Sequence, residues 1–276
     1  MLPLICPVRR CGLPIERDEA RLCCPNGHSF DCAKSGYFNL LQPQDRKANT
    51  PGDSKISVGA RRRALDAGTG TQLLHTLTET FETLQVSRQA AFLDVGCGEG
   101  YFASHLASHF ELDACGIDIS TFAIEAAAKR YPKQQWLVAN GDKRLPFPDQ
   151  SIDVLTSITS CKQSAEFHRL LSPSGRLVLV VSAPDDLQQL REAVHGEIVD
   201  TDRIPRMLEI FGGHFRLESQ TRSSATLRLS TDTLRDLLAG TYRGARHKDQ
   251  DRVAKLSAMD VTISYEILVM RPLSPP

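Results

Sequence analysis

The sequence predicts a doubly wound α/β domain with a parallel sheet, preceded by a small cysteine-rich module. Two observations predict the domain. Short apolar runs alternate with helical segments from residue 90 onward, and a glycine-rich turn lies between the first run and the helix after it. A third observation predicts the module, because five of the eight cysteines fall within the first 32 residues. The 276 residues are enough for one large domain and a small module.

The bulk composition is that of an ordinary globular protein, with 41% hydrophobic and 24% charged residues. No apolar run is long enough to cross a bilayer, and the apolar stretch Met1–Cys6 is too short for a signal-peptide core. These features predict a cytoplasmic protein with no membrane partner.

The charged residues are unevenly distributed, although the net charge is zero. Residues 1–64 contain 11 Lys/Arg against 6 Asp/Glu, whereas the remainder contains 22 against 27. A basic module on a mildly acidic body is typical of a protein that binds a polyanion, and a solvated surface would have the same composition.

The predicted module, residues 1–42, contains too few apolar residues to form a core of its own. In a chain without a secretory signal, clustered cysteines favour a metal site over disulfides. Four soft ligands in two knuckles make a tetrahedral structural site for Zn2+. The predicted ligands are Cys6, Cys11, Cys24 and His28, with Cys23 as the alternative to Cys24.

Residues 43–85 are predicted to connect the module to the main domain, residues 86–276. Residues 43–58 are polar with proline and glycine, which indicates a linker. A helical segment follows, with a break near Gly68–Gly70. It begins at Arg61-Arg62-Arg63, a run that would either contact phosphates or form a solvated helix face.

The main domain shows strand and helix patterns in alternation, which argues for a parallel sheet covered on both faces. The predicted strands are residues 90–95, 114–117, 136–139, 152–157, 177–181 and 261–270. The predicted helices are residues 101–110, 121–130, 166–171, 187–194, 208–210 and 234–238.

The turn Asp94-Val95-Gly96-Cys97-Gly98-Glu99-Gly100 carries three alternating glycines. Glycines let the backbone approach a ligand closely, and the following helix presents free N–H groups. The spacing differs from the Gly-x-Gly-x-x-Gly of nicotinamide-cofactor sites. Asp94, at the strand end, would repel a pyrophosphate and suits a cofactor with a cationic amino-acid end.

Two more acids follow the next two strands. Asp118 can accept ribose hydroxyls, and Asp142 falls within reach of an adenine amino group. With the turn, this pattern resembles the class I S-adenosylmethionine-dependent methyltransferases over roughly residues 88–182. The resemblance implies a seven-stranded Rossmann-like fold. The cofactor-binding residues assigned on this basis are Asp94, Gly96, Gly98, Gly100, Tyr101, Phe102, Asp118, Ile119, Asp142 and Asp186.

A longer motif in the module carries a more specific resemblance: Cys24-Pro25-x-x-His28-x-Phe30-Asp31-x-Ala33-Lys34-x-Gly36-Tyr37-x-Asn39-Leu40-Leu41. Gly52-Asp53-Ser54 and Ala60-Arg61-Arg62 follow it. These stretches resemble the 23S ribosomal RNA guanine-N1 methyltransferases, from residue 6 to about residue 182. The resemblance implies methyl transfer to N1 of a guanine in a hairpin of 23S rRNA. It also implies a homodimer whose zinc module helps to hold the RNA.

The chain departs from that family near the expected pocket. Four residues separate Cys6 from Cys11, where the family usually has two. Ser160-Cys161-Lys162 follows the fourth strand, where the family tends to have Ala-Pro, and Asp186-Leu187 stands in place of His-Leu. These changes would shift the target or weaken the activity.

The proton acceptor for this reaction is left open by the sequence. Guanine N1 carries a proton at neutral pH, so a base must remove it or the site must favour its loss. Two other functions also stay open: a small-molecule methyltransferase that retains the zinc module, and a non-enzymatic RNA-binding protein. The four candidate bases are Cys161, Lys162, Asp185 and Asp186.

Overall fold

The structure, a computed structural model, describes residues 1–9, 11–18, 20–45, 51–196, 202–240 and 256–274. The helices in these ranges are α1 (Lys55–Asp66), α2 (Thr71–Thr83), α3 (Tyr101–Phe110), α4 (Thr121–Arg130), α5 (Ser164–Leu170), α6 (Gln188–His195), α7 (Ile204–Phe211) and α8 (Thr231–Ala239). The strands are β1 (Leu4–Ile5), β2 (Pro14–Asp18), β3 (Arg21–Cys23), β4 (Ser29–Asp31), β5 (Phe38–Asn39), β6 (Ala91–Val95), β7 (Asp113–Asp118), β8 (Gln135–Val138), β9 (Ile152–Ile158), β10 (Leu171–Ser182), β11 (Phe215–Leu229) and β12 (Met259–Pro272).

The main sheet has the strand order β11-β12-β10-β9-β6-β7-β8-β5. The six strands from β10 to β5 are parallel, and β12 is antiparallel to both β10 and β11. The chain runs outward from β6 to β8 and then returns to β9 and β10 on the other side of β6. This confirms the doubly wound fold. Such sheets bind ligands outside the carboxyl ends of the strands at the point where the order reverses, here β6 and β9.

Two strands lie outside the predicted pattern. The short strand β5 pairs with β8, so the sheet has eight strands rather than seven. At the opposite edge, β11 pairs with β12 over most of its length. Most of its residues are at least partly exposed and many are polar, as at Arg216 and Glu218, so no apolar run marks it in the sequence.

The first long helix begins earlier than the predicted end of the linker at residue 58. Helix α1 starts at Lys55 because Ser54 caps it: the Ser57 N–H donates to Ser54 Oγ at 3.2 Å. The predicted break follows α1 at Gly68–Gly70, and α2 then begins at Thr71.

The sheet is buried on both faces. On one face, Phe81 of α2 packs edge-on against Phe92 of β6, with ring centroids 5.6 Å apart, and Trp136 is fully buried nearby. The other face carries a second apolar cluster that includes Leu2, Leu4 and other module residues. Among the described residues, no helix is long and apolar enough to cross a bilayer.

The N-terminal module forms a four-stranded antiparallel sheet, β1-β2-β3-β4. It is joined to the main domain by backbone contacts as well as by apolar packing. The Ile5 N–H donates to the Pro146 carbonyl at 3.0 Å, and the Leu2 N–H donates to Gln135 Oε1 at 3.0 Å. The module therefore has a fixed position against the loop that follows β8.

Candidate metal centre and cofactor cavity

Two tight turns of the module bring three cysteines and a histidine together. The first turn is closed by the Gly12 N–H, which donates to the Cys6 carbonyl at 3.2 Å. The second is closed by the Gly27 N–H, which donates to the Cys24 carbonyl at 2.9 Å. The ligand atoms of Cys6, Cys11, Cys24 and His28 all lie within 4.8 Å of one another.

The spacing of these atoms fits a tetrahedral zinc ion. Zn–S bonds of about 2.3 Å place two sulfurs about 3.8 Å apart, and a histidine nitrogen about 3.5 Å from each sulfur. Cys11 Sγ and Cys24 Sγ are 3.8 Å apart. His28 Nδ1 is 3.4 Å from Cys6 Sγ and 3.3 Å from Cys24 Sγ. Cys23 is not in this cluster, because successive residues at the end of β3 point to opposite sides.

The glycine-rich turn has a backbone that other residues would not fit. Gly96 and Gly100 have φ values of +78° and +82°, which side chains rarely adopt. A Cβ on Gly100 would lie 2.4 Å from the buried Trp136 ring, and one on Gly96 would lie 1.7 Å from Ser160 Oγ. The glycines were expected to admit a ligand, and these two also allow the turn to pack against the neighbouring side chains.

A cavity of about 510 Å³ lies at the carboxyl ends of the central strands. That volume is typical of a site for a cofactor-sized molecule. One side of the cavity, which we call the cofactor half, is formed by the ends of β6 and β7 with the glycine turn and α1. The other side, which we call the acceptor half, is formed by the ends of β9 and β10 with part of β12. Its lining includes Ile158, Thr159, Ser160, Ser182, Asp186, Ile263 and Tyr265.

The cofactor half is rich in buried carboxylates. Asp94 is only 2% exposed, and Thr156 Oγ1 donates to its Oδ1 at 2.7 Å. Burial, together with the charges of Asp118 and Glu99, raises the pKa of Asp94 to about 7, although the Thr156 hydrogen bond acts in the opposite direction. Asp118 accepts the Gly98 N–H at 3.0 Å and the Ser120 N–H at 2.8 Å. Such a site favours a cationic ligand.

Glu99 supplies an unsatisfied polar atom in the same half. It is 3% exposed, and its Oε1 is buried without a hydrogen-bond partner. Burial raises its pKa, and the positive charges of Arg61 and Arg130 oppose that effect. At the mouth of the cavity, Arg61 pairs with Asp53 at 2.7 Å. A buried acceptor of this kind indicates a missing donor, which a bound ligand can supply.

The acceptor half contains two strained backbone positions. Thr159 and Leu187 have φ values of +50° and +54°, and both line the cavity. Leu187 directly follows Asp186, and its N–H donates to the Thr262 carbonyl at 2.7 Å. A non-glycine residue at positive φ costs about 1–3 kcal/mol of folding free energy, and such residues cluster at functional sites.

The structure brings most of the predicted cofactor-binding residues together. Ile119 and Asp142 are not among the lining residues, and Asp142 is exposed on the loop after β8. Gly100 does not line the cavity either, because it packs against Trp136 at the start of α3. The predicted residues that line the cofactor half are Asp94, Gly96, Gly98, Tyr101, Phe102 and Asp118. Asp186 was also predicted to bind the cofactor, but it lines the acceptor half instead.

Several lining residues were missed by the sequence reasoning. Asp53 and Arg61 belong to the two stretches that follow the module motif, which was a usable signal, and Glu99 lies within the glycine turn. Tyr265 lies in an unbroken strand pattern and carries no signal of its own.

Comparisons with known proteins place the main domain and the module in known families. Residues 93–179 match the family described as Methyltransferase domain, and residues 4–49 match the zinc-ribbon family described as RlmA, N-terminal. A 23S rRNA (guanine(748)-N(1))-methyltransferase of Streptomyces fradiae is 32% identical, and the match covers 98% of this chain and 97% of that protein. The crystal structure of the YcgJ protein from Bacillus subtilis, 16% identical, has a TM-score of 0.52 and covers 73% of this chain and 99% of its own. That structural likeness concerns the fold alone.

Proposed function

The chain belongs to the family of 23S rRNA (guanine-N1) methyltransferases, and we propose that it methylates N1 of a guanine in a hairpin of 23S rRNA. It is an S-adenosylmethionine-dependent methyltransferase with an N-terminal zinc ribbon. The observation that carries the proposal is that the 32% identity extends across both the metal cluster and the cavity. The guanine target is taken from the relative.

The cofactor half suits S-adenosylmethionine, which supplies the methyl group as an electrophile on a cationic sulfur. We propose that Asp94 and Glu99 face its positive charges, since both are buried carboxylates and Glu99 has an orphaned oxygen. Asp118 has free lone pairs for ribose hydroxyls beside the two N–H groups that orient it. The glycine turn at Gly96 and Gly98 allows close approach of the backbone.

We propose that Cys6, Cys11, Cys24 and His28 hold the Zn2+ and that the module helps to bind the RNA. A groove lies between the first knuckle and the loop after β8, and it is lined in part by Arg9, Lys143 and Arg144. All three are exposed, so they are accessible to phosphates. A groove with cations on both sides suits a nucleic-acid backbone.

The test is methyl transfer from labelled S-adenosylmethionine to unmodified 23S rRNA, with the product nucleoside identified by mass spectrometry. We expect 1-methylguanosine in a hairpin, with an RNA affinity that falls as salt rises. Cofactor binding without labelled RNA contradicts the proposal and favours a small-molecule acceptor. RNA binding without cofactor binding or turnover favours a non-enzymatic role.

From the resemblance we also propose a homodimer that acts in the cytoplasm. Sedimentation of the zinc-loaded protein tests the oligomeric state. We expect a mass of twice 30.5 kDa, and a single monomeric species contradicts the dimer.

A further inference from the structure

We propose that Asp186 is the base that accepts the N1 proton of the target guanine. The inference rests on the proposed function and chooses among the four candidates that the sequence leaves open. Of Cys161, Lys162, Asp185 and Asp186, Asp186 is the one that lines the cavity.

The two candidates after β9 lie outside the cavity wall. Cys161 packs beside the loop after β8: a Cβ on Gly141 would lie 2.5 Å from its Sγ. Burial raises the pKa of the Cys161 thiol to about 11, so the thiolate is scarce at neutral pH. Lys162 is exposed, and an ammonium group offers hydrogen-bond donors but no acceptor.

Asp185 is already held by other groups. Arg222 of β11 pairs with it at 2.5 Å, and the Ser264 hydroxyl donates to the same oxygen, Oδ1. Partial burial tends to raise the pKa of Asp185, but these two partners outweigh it and lower the pKa below the ordinary value. A carboxylate stabilised in this way is a weak base.

Asp186 occupies the acceptor half, at the turn that follows β10. It is 6% exposed, and the Ser264 N–H donates to its Oδ1 at 3.1 Å. The Arg191 guanidinium lies 3.8 Å from Oδ2, beyond normal hydrogen-bond distance. An ionised carboxylate has about four acceptor positions, so these contacts orient the group and leave capacity for a proton.

The position of Asp186 relative to the cofactor half follows from the sheet. Its strand, β10, is two strands away from β6 in the order β10-β9-β6. Neighbouring strands are about 4.8 Å apart, so the end of β10 lies about 10 Å from the end of β6 along the sheet, and Asp186 follows β10 on the side of β12. That separation leaves room for an acceptor base between Asp186 and a cofactor held over β6.

The charges around Asp186 support the role. Burial raises its pKa, while hydrogen bonds from Ser264 and Ser182 and the charges of Arg191 on α6 and Arg203 beside α7 oppose the rise. Tyr265 of β12 lines the same cavity, and burial together with the charge of Asp186 raises the pKa of its phenol. A carboxylate with a raised pKa takes up a proton more readily than an ordinary aspartate.

The proposed step couples a proton transfer to the methyl transfer. The guanine N1–H bond breaks, the proton goes to a carboxylate oxygen of Asp186, and the electron pair stays on N1. That pair forms the bond to the methyl carbon, whose former bonding pair leaves with the cofactor sulfur. Asp186 then passes the proton to water, so the site is restored for the next turnover.

The test compares Asp186→Asn with Asp185→Asn under single-turnover conditions on a 23S rRNA hairpin. We expect Asp186→Asn to lower the rate of 1-methylguanosine formation about 100- to 10,000-fold, with Asp185→Asn close to wild type. The wild-type rate should rise with pH and then level off, whereas the Asp186→Asn rate should continue to rise as solvent ionises N1. Calorimetry with S-adenosylhomocysteine should give the same affinity for all three proteins.

A second measurement needs no cofactor. Carbon-13 NMR of the unliganded protein should give the Asp186 carboxyl a pKa above that of Asp185. The Asp186 signal is identified because it is missing from the spectrum of Asp186→Asn. The inference alone is overturned if wild type methylates the guanine and Asp186→Asn matches it, or if the NMR order of the two pKa values is reversed. Absence of 1-methylguanosine from the wild-type reaction overturns the proposed function with it.

Discussion

The two halves of the cavity are built in different ways. The cofactor half is built largely from one continuous stretch, with Asp94, the glycine turn and the start of α3 in the space of nine residues. The acceptor half draws its wall from residues between Ile158 and Tyr265, at the carboxyl ends of β9 and β10 and on β12. Local backbone geometry defines the first half, whereas sheet topology assembles the second. The first is therefore expected to tolerate fewer changes, and the second to be where the acceptor is selected.

The largest effect that this difference predicts is in the glycine turn. Gly100→Ala would place a methyl group 2.4 Å from the fully buried Trp136, at a φ of +82°. Overpacking and backbone strain together should cost about 3 kcal/mol of the free energy of unfolding and remove most cofactor binding. Denaturant unfolding and calorimetry measure both.

The matched control is Gly196→Ala at the end of α6. Gly196 has a similar φ of +74°, but nothing lies within 4 Å of its added Cβ. We expect a loss of about 1 kcal/mol from backbone strain alone. Equal losses for the two variants would mean that the Trp136 contact is unimportant.

A smaller effect is expected at Asp94, and it should depend on pH. Because a cation favours the ionised carboxylate, affinity for S-adenosylhomocysteine should rise as pH increases through about 7 and then level off. Asp94→Asn should remove this dependence and weaken binding about 30-fold at pH 8, the loss of roughly 2 kcal/mol for a charged hydrogen bond. An unchanged pH profile in the variant would assign the dependence to another group.

The same carboxyl affects stability with the opposite sign. In the folded protein the pKa of Asp94 is about 7, against an ordinary value of 3.8. The contribution of this carboxyl to stability is therefore fully present below about pH 4 and is lost as pH rises through 7. Without ligand at pH 8, Asp94→Asn should therefore melt at a higher temperature than wild type. A lower melting temperature would show that the hydrogen bond from Thr156 outweighs the burial of the charge.

Tyr265 tests whether the acceptor half acts on its own. Tyr265→Leu should lower kcat/KM for RNA about tenfold, because an aromatic ring that stacks on a base contributes about 1–3 kcal/mol. Affinity for S-adenosylhomocysteine should stay the same, and Tyr265→Phe should retain most of the activity. An equal loss of cofactor affinity would break the division into two halves.

The smallest effect is expected where the halves meet solvent. The Arg61–Asp53 ion pair is about one-third exposed, and such pairs contribute about 0.5 kcal/mol. Arg61→Gln should weaken cofactor binding two- to threefold at low salt and less at high salt. Arg62→Gln, which lies outside the cavity wall, serves as the control and should leave cofactor binding unchanged.

The sequence predicted the cofactor half well because its signal is local. Asp94, the glycine turn and Asp118 can be identified from spacing alone, and the structure brings them into one cavity. Asp142 was expected in the same site on the same reasoning, but the loop after β8 leaves it exposed. Spacing along the chain locates a strand end and does not determine which way the following loop turns.

Strand β11 and the choice between Asp185 and Asp186 could not be predicted, because their signals are shared across distant segments. Strand β11 is held by its pairing with β12, and its own residues alternate without a long apolar run. The sequence offers both Asp185 and Asp186 as candidate bases. Only the packing of β11 and β12 shows that Arg222 forms an ion pair with Asp185, whereas Asp186 lines the cavity.

The pairing of β5 with β8 has a consequence for the order of assembly. Phe38 pairs with Leu137, so the parallel partner of β5 is synthesised roughly a hundred residues after it. The cysteine-rich segment leaves the ribosome first and can acquire its metal while its docking edge does not yet exist. Once β8 has been synthesised, its outer edge stays unpaired until β5 pairs with it. Loss of the module would therefore expose a self-association edge, and zinc supply during translation would influence solubility as well as RNA binding.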